Sequence, residues 1–220
     1  MRTIEKTIYN FNELSEEIKN KLIERKKEEE KDAYIEYCLY NDMQDKASDL
    51  VNDYFGITSD YLKAYYDLSY SQGSGAMIEF DITIKDLNNK YKVFSDEEIR
   101  FLTDKDIVND IRVKHHNNMY YHEYTFILLY GYYNDYDFED IQDDYNITEE
   151  DFNTIATRFY ELVDYSNKHY TTSPFIKDII SMNIDLKNNG YSMLDYECDT
   201  DYIIDMLSEH EYYENGEVYQ

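Results

Sequence analysis

The stretch that most restricts the fold is "YLKAYYDLSYSQGSGAMIEFDITI", Tyr61 to Ile84. Residues of alternating character flank the pair Gly73 and Gly75. Leu68, Tyr70, Met77, Glu79 and Asp81 set one alternation, and Tyr66, Ser69, Ile78, Phe80, Ile82 and Ile84 set the other. A period of two sends successive side chains to opposite faces of a strand, so the segment predicts strand, loop, strand. The expectation is an antiparallel hairpin whose glycines supply positive φ. Glycine loops also cradle phosphates, but that use needs a helix N-terminus directly after the loop, with free N–H groups aimed at the anion. Here "AMIEFDITI" follows, with no lysine at the phosphate-loop position, so a hairpin is the better reading.

The rest of the chain alternates helical patterns with further strand runs. "KTIYNF" reads as a short strand. "NELSEEIKNKLIERKKEEEK" reads as a helix capped by Asn12, with Leu14, Ile18 and Leu22 as its apolar stripe and "ERKKEEEK" as its end or a link onward. A second helix runs from about Ala33 to Phe55, with Tyr34, Tyr37, Cys38, Ala47, Leu50, Val51, Tyr54 and Phe55 mostly on one face and Gly56 as its left-handed stop. Ser95 and Glu98 form a capping-box pattern, and Thr148 with Asp151 a similar start. Between them a second hairpin is expected at Ile107 to Tyr133, turning at Asn117 and Asn118 and pairing His116 with Met119 and His115 with Tyr120. Phe152, Ile155, Phe159, Leu162 and Val163 line a helix that Pro174 breaks or bends. Helical patterns resume to His210, and Asn215-Gly216 signals a last hairpin. Helices and antiparallel hairpins in separate blocks predict an α+β class, with residues 1–220 as a single compact domain.

Charge limits the partners. The net charge is −27, from 48 Asp and Glu against 21 Lys and Arg. Residues 1–31 are balanced, and no Lys or Arg follows Lys187. Such a surface repels nucleic acid and anionic membrane and attracts basic proteins and cations. The plain alternative is acidity that only solubilises. No secretory signal pattern and no run of about 20 apolar residues appears, so a soluble cytoplasmic protein is expected. Cys38 and Cys198 lie far apart, outside any metal-binding spacing, and read as buried thiols.

Catalytic and metal signatures are weak. His115 and His122 would share a strand face diagonally, which begins a zinc site without a third ligand. "DYDFEDIQDDYN" spaces Asp135, Asp137 and Glu139 like a calcium loop, but has Asp140 where Gly belongs and Asn146 where Glu belongs. "DYECDTD" from Asp195 fails similarly. No nucleophile elbow, H-E-x-x-H, kinase or deaminase signature is present, and carboxylates are too abundant for any pair to be informative. The expectation is a non-enzyme with no metal and no cofactor.

Three islands carry a resemblance. "YNFNELSEEIKNKLIE", "YDLSYSQGSGAMIEFDI" and "ENGEVY" are similar, in that order, to a family of acidic bacteriophage and prophage proteins. That family pairs an F-x-E-L-S-x-E-A-K helix with an S-Q-G-D-G-A hairpin and an acidic ending in D/N-G-x-x-Y. The chain departs from the pattern at Ser74, where Asp is common, and at Ile18, where Ala is usual. The resemblance implies phage origin and a shared fold, and carries no reaction.

With the charge, it points to a counter-defence protein in the cytoplasm of an infected bacterium. Such a protein would bind a basic, nucleic-acid-handling host protein stoichiometrically, as a partial nucleic-acid mimic. CRISPR effectors, restriction enzymes and other nucleases are the candidate targets, and the protein itself would bind neither nucleic acid nor membrane. Tyrosine among carboxylates can stack on arginine. The candidate surface is therefore Tyr132, Tyr133, Asp135, Tyr136, Asp137, Glu139, Asp140, Asp143 and Asp144, with Asp199, Asp201, Glu209 and Glu211 from the base-free end. The alternatives are an accessory protein that docks through a shape-specific patch, or an enzyme of unrecognised type. The oligomeric state is left open.

Overall fold

In the computed structural model, residues 7–69, 71, 73–104, 107–108, 110–116, 121–130, 147–163, 173–195 and 199–219 are described. Helices and purely antiparallel sheets give an α+β fold. The backbone groups into two units, residues 1–41 with 192–220, and residues 42–191.

The first unit begins with β1 (Ile8–Asn10). The Asn10 amide N–H donates to Glu13 Oε2 at 2.9 Å, capping a 3-10 turn over Phe11–Glu13. Helix α1 (Glu16–Tyr37) starts only after this turn, so Asn12 is not its cap. The charged run "ERKKEEEK" does not end it either. Lys26 bonds Glu30 at 2.9 Å within the helix, and the break comes at Cys38, which is exposed rather than buried. Tyr37 is exposed as well, so the expected apolar face does not reach back to these two residues. Cys198 lies outside the described residues. Leu14, Leu22 and partly buried Ile18 do form the expected stripe, packed in one cluster with Phe11, Tyr212, and Ile203 and Leu207 of α7 (Thr200–Ser208). Strand β6 (Glu211–Tyr213) pairs with β1, Ile8 opposite Tyr213. Its return hairpin differs from the two-residue turn that Asn-Gly predicts. Gly216 N–H donates to Tyr213 O at 2.9 Å, Tyr213 N–H to Glu217 O at 2.8 Å, and only Gly216 has positive φ (+84°). That is a three-residue loop closed by a left-handed glycine.

The second unit is built on a four-stranded antiparallel sheet in which each strand pairs with the next in the chain. Helix α2 (Leu39–Phe55) leads in and ends at Gly56, whose φ of +69° is the expected left-handed stop. Its predicted face holds at Ala47, Leu50, Val51 and Phe55, all buried. Strand β2 (Leu62–Asp67) pairs with β3 (Gly75–Thr83), so the predicted glycine hairpin is present, with Leu68 and Ser69 in its loop rather than its strand, while Tyr70 lies outside the described residues. Ile84 turns out to start helix α3 (Ile84–Tyr91), because the Thr83 hydroxyl accepts from Asp86 N at 3.0 Å and diverts the chain. Helix α4 (Asp96–Asp104) follows, with both halves of the Ser95–Glu98 box formed.

Strands β4 (Asp110–His115) and β5 (Phe126–Tyr130) make the second hairpin, with His115 opposite Phe126. The expected pairings of His115 with Tyr120 and His116 with Met119 are therefore not formed. The chain from Tyr121 to Thr125 is loop, not strand. Helix α5 (Glu149–Val163) begins at the expected Thr148–Asp151 box, with reciprocal bonds of 3.0 and 3.2 Å. Pro174 neither breaks nor bends a helix. It is the first residue of α6 (Pro174–Leu194), where its missing N–H costs nothing.

The core of this unit is layered on one sheet face. Phe55 of α2 lies 5.3 Å from Phe80 of β3 and 5.8 Å from Phe175 of α6. Ile78, Phe80 and Ile82 are buried along β3, as are Ile179, Met182 and Leu186 along α6. No helix among the described residues is long and apolar enough to cross a membrane.

Candidate functional site

The glycine loop closes without an anion cradle. Asp67 sits opposite Gly75, and β3 runs on from Gly75 as strand, so no helix N-terminus directly follows the loop. Gly75 has no positive φ. Its requirement is space: a Cβ there would lie 2.0 Å from the Tyr121 carbonyl oxygen. The reason is a splay in the sheet. Pairing of β3 with β4 stops at Phe80 and Val113, and the loop from Tyr121 fills the opening. Buried polar side chains satisfy the backbone there. Asn183 of α6 accepts from Ile78 N at 2.9 Å and donates to Glu123 O at 3.1 Å. Glu79, 3% exposed, accepts from His115 N at 3.3 Å and from the Tyr61 hydroxyl at 2.9 Å. Tyr65, His115 and Tyr121 stack beside it, with His115 4.9 and 5.1 Å from the two rings. The opposite edge, β2, is closed by Gln44, whose amide bonds both the N–H and the carbonyl of Ala64, at 2.9 and 3.1 Å.

One constellation on this sheet combines charge with an aromatic ring. Arg112 makes a bidentate bond to Asp81, at 2.6 and 2.7 Å, with its guanidinium 4.7 Å from the centre of the Tyr61 ring. Asp81 holds the guanidinium protonated even more firmly than usual, and the bond to Glu79 pushes the Tyr61 phenol up. Nε and Nη2 both bond the carboxylate of the residue directly opposite Arg112, so the group braces β3 against β4.

Of the predicted partner surface, Tyr132, Tyr133, Asp135, Tyr136, Asp137, Glu139, Asp140, Asp143 and Asp144 lie outside the described residues. The remaining four fall in the first unit. Asp199 caps α7 by accepting from Asp201 N at 2.9 Å; Asp201 is exposed in the first turn, and Glu209 and Glu211 are exposed beyond its end. Among the described residues none of these four makes an ion pair with Lys or Arg. The bases of α1 bond within their own helix, Lys19 to Glu16 and Lys21 to Glu17, while Lys27 reaches the Thr200 hydroxyl at 2.7 Å.

Sequence reasoning missed the aromatic part of this unit. Ile8 and Tyr219 are exposed, and Tyr213 is half-buried. Their signal was the alternation in "IYN" and "EYY", which becomes informative only once β1 is paired with β6. Among the described residues no group of three or more His, Cys, Asp or Glu could hold a metal ion. His115 and His122 lie in a strand and a loop rather than diagonally on one strand pair.

No family model matches the chain, and no curated protein or solved structure matches it.

Proposed function

We propose that this chain is a phage counter-defence protein that binds a basic, nucleic-acid-handling host protein and holds it off its nucleic acid. The observation that carries the reading is the net charge of −27 together with the exposed carboxylates Asp201, Glu209 and Glu211 of the C-terminal segment, which make no ion pair with Lys or Arg among the described residues. Duplex DNA presents a charge about every 1.7 Å of its axis. A folded acidic surface competes for the same basic groove and loses less entropy on binding because it is already ordered. Its field also steers a basic partner inward, over a Debye length of about 8 Å at physiological salt. The three phage-like islands support the setting, an infected bacterial cytoplasm, and CRISPR effectors or restriction enzymes as the kind of target. The action is stoichiometric binding, with no chemical step.

The test is a pull-down from bacterial lysate at low and high salt, with captured proteins identified and their nucleic-acid binding assayed with and without this chain. The reading expects basic nucleic-acid-binding proteins whose capture weakens with salt and whose nucleic acid is displaced. Tight binding of DNA or RNA by the chain itself would sink it. The exposed apolar residues of the first unit favour a second reading, an accessory protein with a shape-specific patch, and salt-independent capture would select that one.

A further inference from the structure

We propose that the helical face at the α1–α2 break, carrying Asp32, Glu36, Tyr37 and Tyr40, docks arginine side chains of a basic protein partner. The inference rests on the reading above and says where that partner sits. All four residues belong to the first unit. The break is the single residue Cys38. Its backbone stays in the right-handed helical region, at φ −110° and ψ −41°, and its N–H still donates to Tyr34 O at 2.9 Å. Helical spacing therefore carries through the break. Asp32, Glu36 and Tyr40 follow one another at four residues, and Tyr37 lies three from Tyr40, so the four share one face.

Leu39 turns inward and is buried, while the rings on either side of it stay out, Tyr37 at 69% exposure and Tyr40 at 53%. Among the described residues neither ring meets a cation or a second ring. Asp32 and Glu36 are exposed and, among the described residues, make no ion pair with a base. The bases of α1 leave the face acidic. Arg25 and Lys26 bond Glu29 and Glu30, and Lys27 bonds the Thr200 hydroxyl. Lys31 stands nine residues before Tyr40, about two and a half turns, which puts it on the opposite side of the helix. From Asp32 to Asp45 the sequence has four carboxylates and no Lys or Arg.

Charge complementarity calls for a cation, and the rings select a flat one. A guanidinium stacks on tyrosine while its fork bonds a carboxylate, whereas an ammonium is a compact, strongly hydrated charge. The protein already holds one arginine in this manner, Arg112 between the Tyr61 ring and the Asp81 carboxylate. The helical face offers the same pair of groups to a partner. A second copy of the chain, itself at −27, is repelled from it.

The test titrates the full chain, followed by amide chemical shifts, with a short arginine–glycine repeat peptide and with its lysine counterpart. The expected result is shifts at Asp32, Glu36, Tyr37 and Tyr40, with weaker binding of the lysine peptide. Tyr37→Ala with Tyr40→Ala should weaken the arginine peptide about five- to thirty-fold, the worth of two exposed ring contacts, and alanine keeps the helix. Tyr37→Phe with Tyr40→Phe should retain binding, because the ring face and not the hydroxyl holds the cation. Asp32→Asn with Glu36→Gln should also weaken it, and Glu149→Gln with Glu150→Gln on α5 should change it little. Shifts confined to other surfaces, with the alanine and amide variants both neutral, would overturn this surface and leave the proposed function standing. A lysine peptide bound as tightly as the arginine one would overturn the selection of guanidinium, and with it the proposal. No binding of either peptide at low salt would overturn both readings. A dimer in sedimentation velocity that Tyr37→Ala with Tyr40→Ala makes monomeric would assign the face to a second copy of the chain and overturn the proposal.

Discussion

Gly75→Ala tests the account of the splayed sheet. The added Cβ would stand 2.0 Å from Tyr121 O, 2.8 Å from Tyr121 C and 3.0 Å from His122 Cα, all backbone atoms. To reach ordinary contact the loop must retreat by about 1.5 Å. Overpacking of this kind costs about 1–3 kcal/mol. The retreat also strains two hydrogen bonds, Tyr121 N–H to Gly73 O at 3.3 Å and Asn183 Nδ2 to Glu123 O at 3.1 Å. Each is worth about 0.5–1.5 kcal/mol. The sum is about 2–6 kcal/mol. It should be read as a fall in urea midpoint together with faster hydrogen exchange at the Ile78 amide, which Asn183 protects. Gly56→Ala is the control: it meets nothing within 4 Å and carries only the strain of φ +69°, about 1–2 kcal/mol. Should Gly75→Ala unfold at the wild-type midpoint with unchanged exchange at Ile78, the loop does not press on Gly75 and the account is wrong.

Asn183→Leu removes the partner of Ile78 N and Glu123 O while keeping the volume. With two buried backbone groups unpaired, a loss of about 2–4 kcal/mol is expected by urea unfolding. Gln44→Ala uncovers the Ala64 N–H and carbonyl on the β2 edge. The expected outcome is a loss of about 1–2 kcal/mol and concentration-dependent association by light scattering, since an open edge recruits strands. Alkaline pH should destabilise the fold. Burial, with the bond to Asp185, pushes the Tyr54 phenol up to about 12, and burial with Asp178 pushes Tyr91 higher still. Groups raised in the folded state hold protons that the unfolded chain releases, so this stability is intact below about pH 10 and is lost as pH rises through the folded values. Absorbance of tyrosinate should thus show a late-titrating class that disappears when the chain is unfolded in urea.

What could be read from the chain alone is what is decided within a few residues. The Ser95–Glu98 and Thr148–Asp151 boxes, the left-handed stop at Gly56 and the β2–β3 hairpin each close over a short loop or a three-residue spacing, so their partners are visible in the sequence. The Thr83–Asp86 start of α3 was visible in the same way, but it is hidden by the strand pattern running into it. Tertiary structure decided whatever depends on a distant partner. Gly75 is glycine because of Tyr121, the register of β4 and β5 gives way to the loop that crosses Gly75, and the sheet closes through Gln44, Glu79 and Asn183, whose partners lie 18 to 105 residues away. The acidity of the C-terminal segment was plain from composition. That Ile8, Tyr213 and Tyr219 share one outward face was not, because only pairing of the two ends of the chain brings them together and assigns their sides.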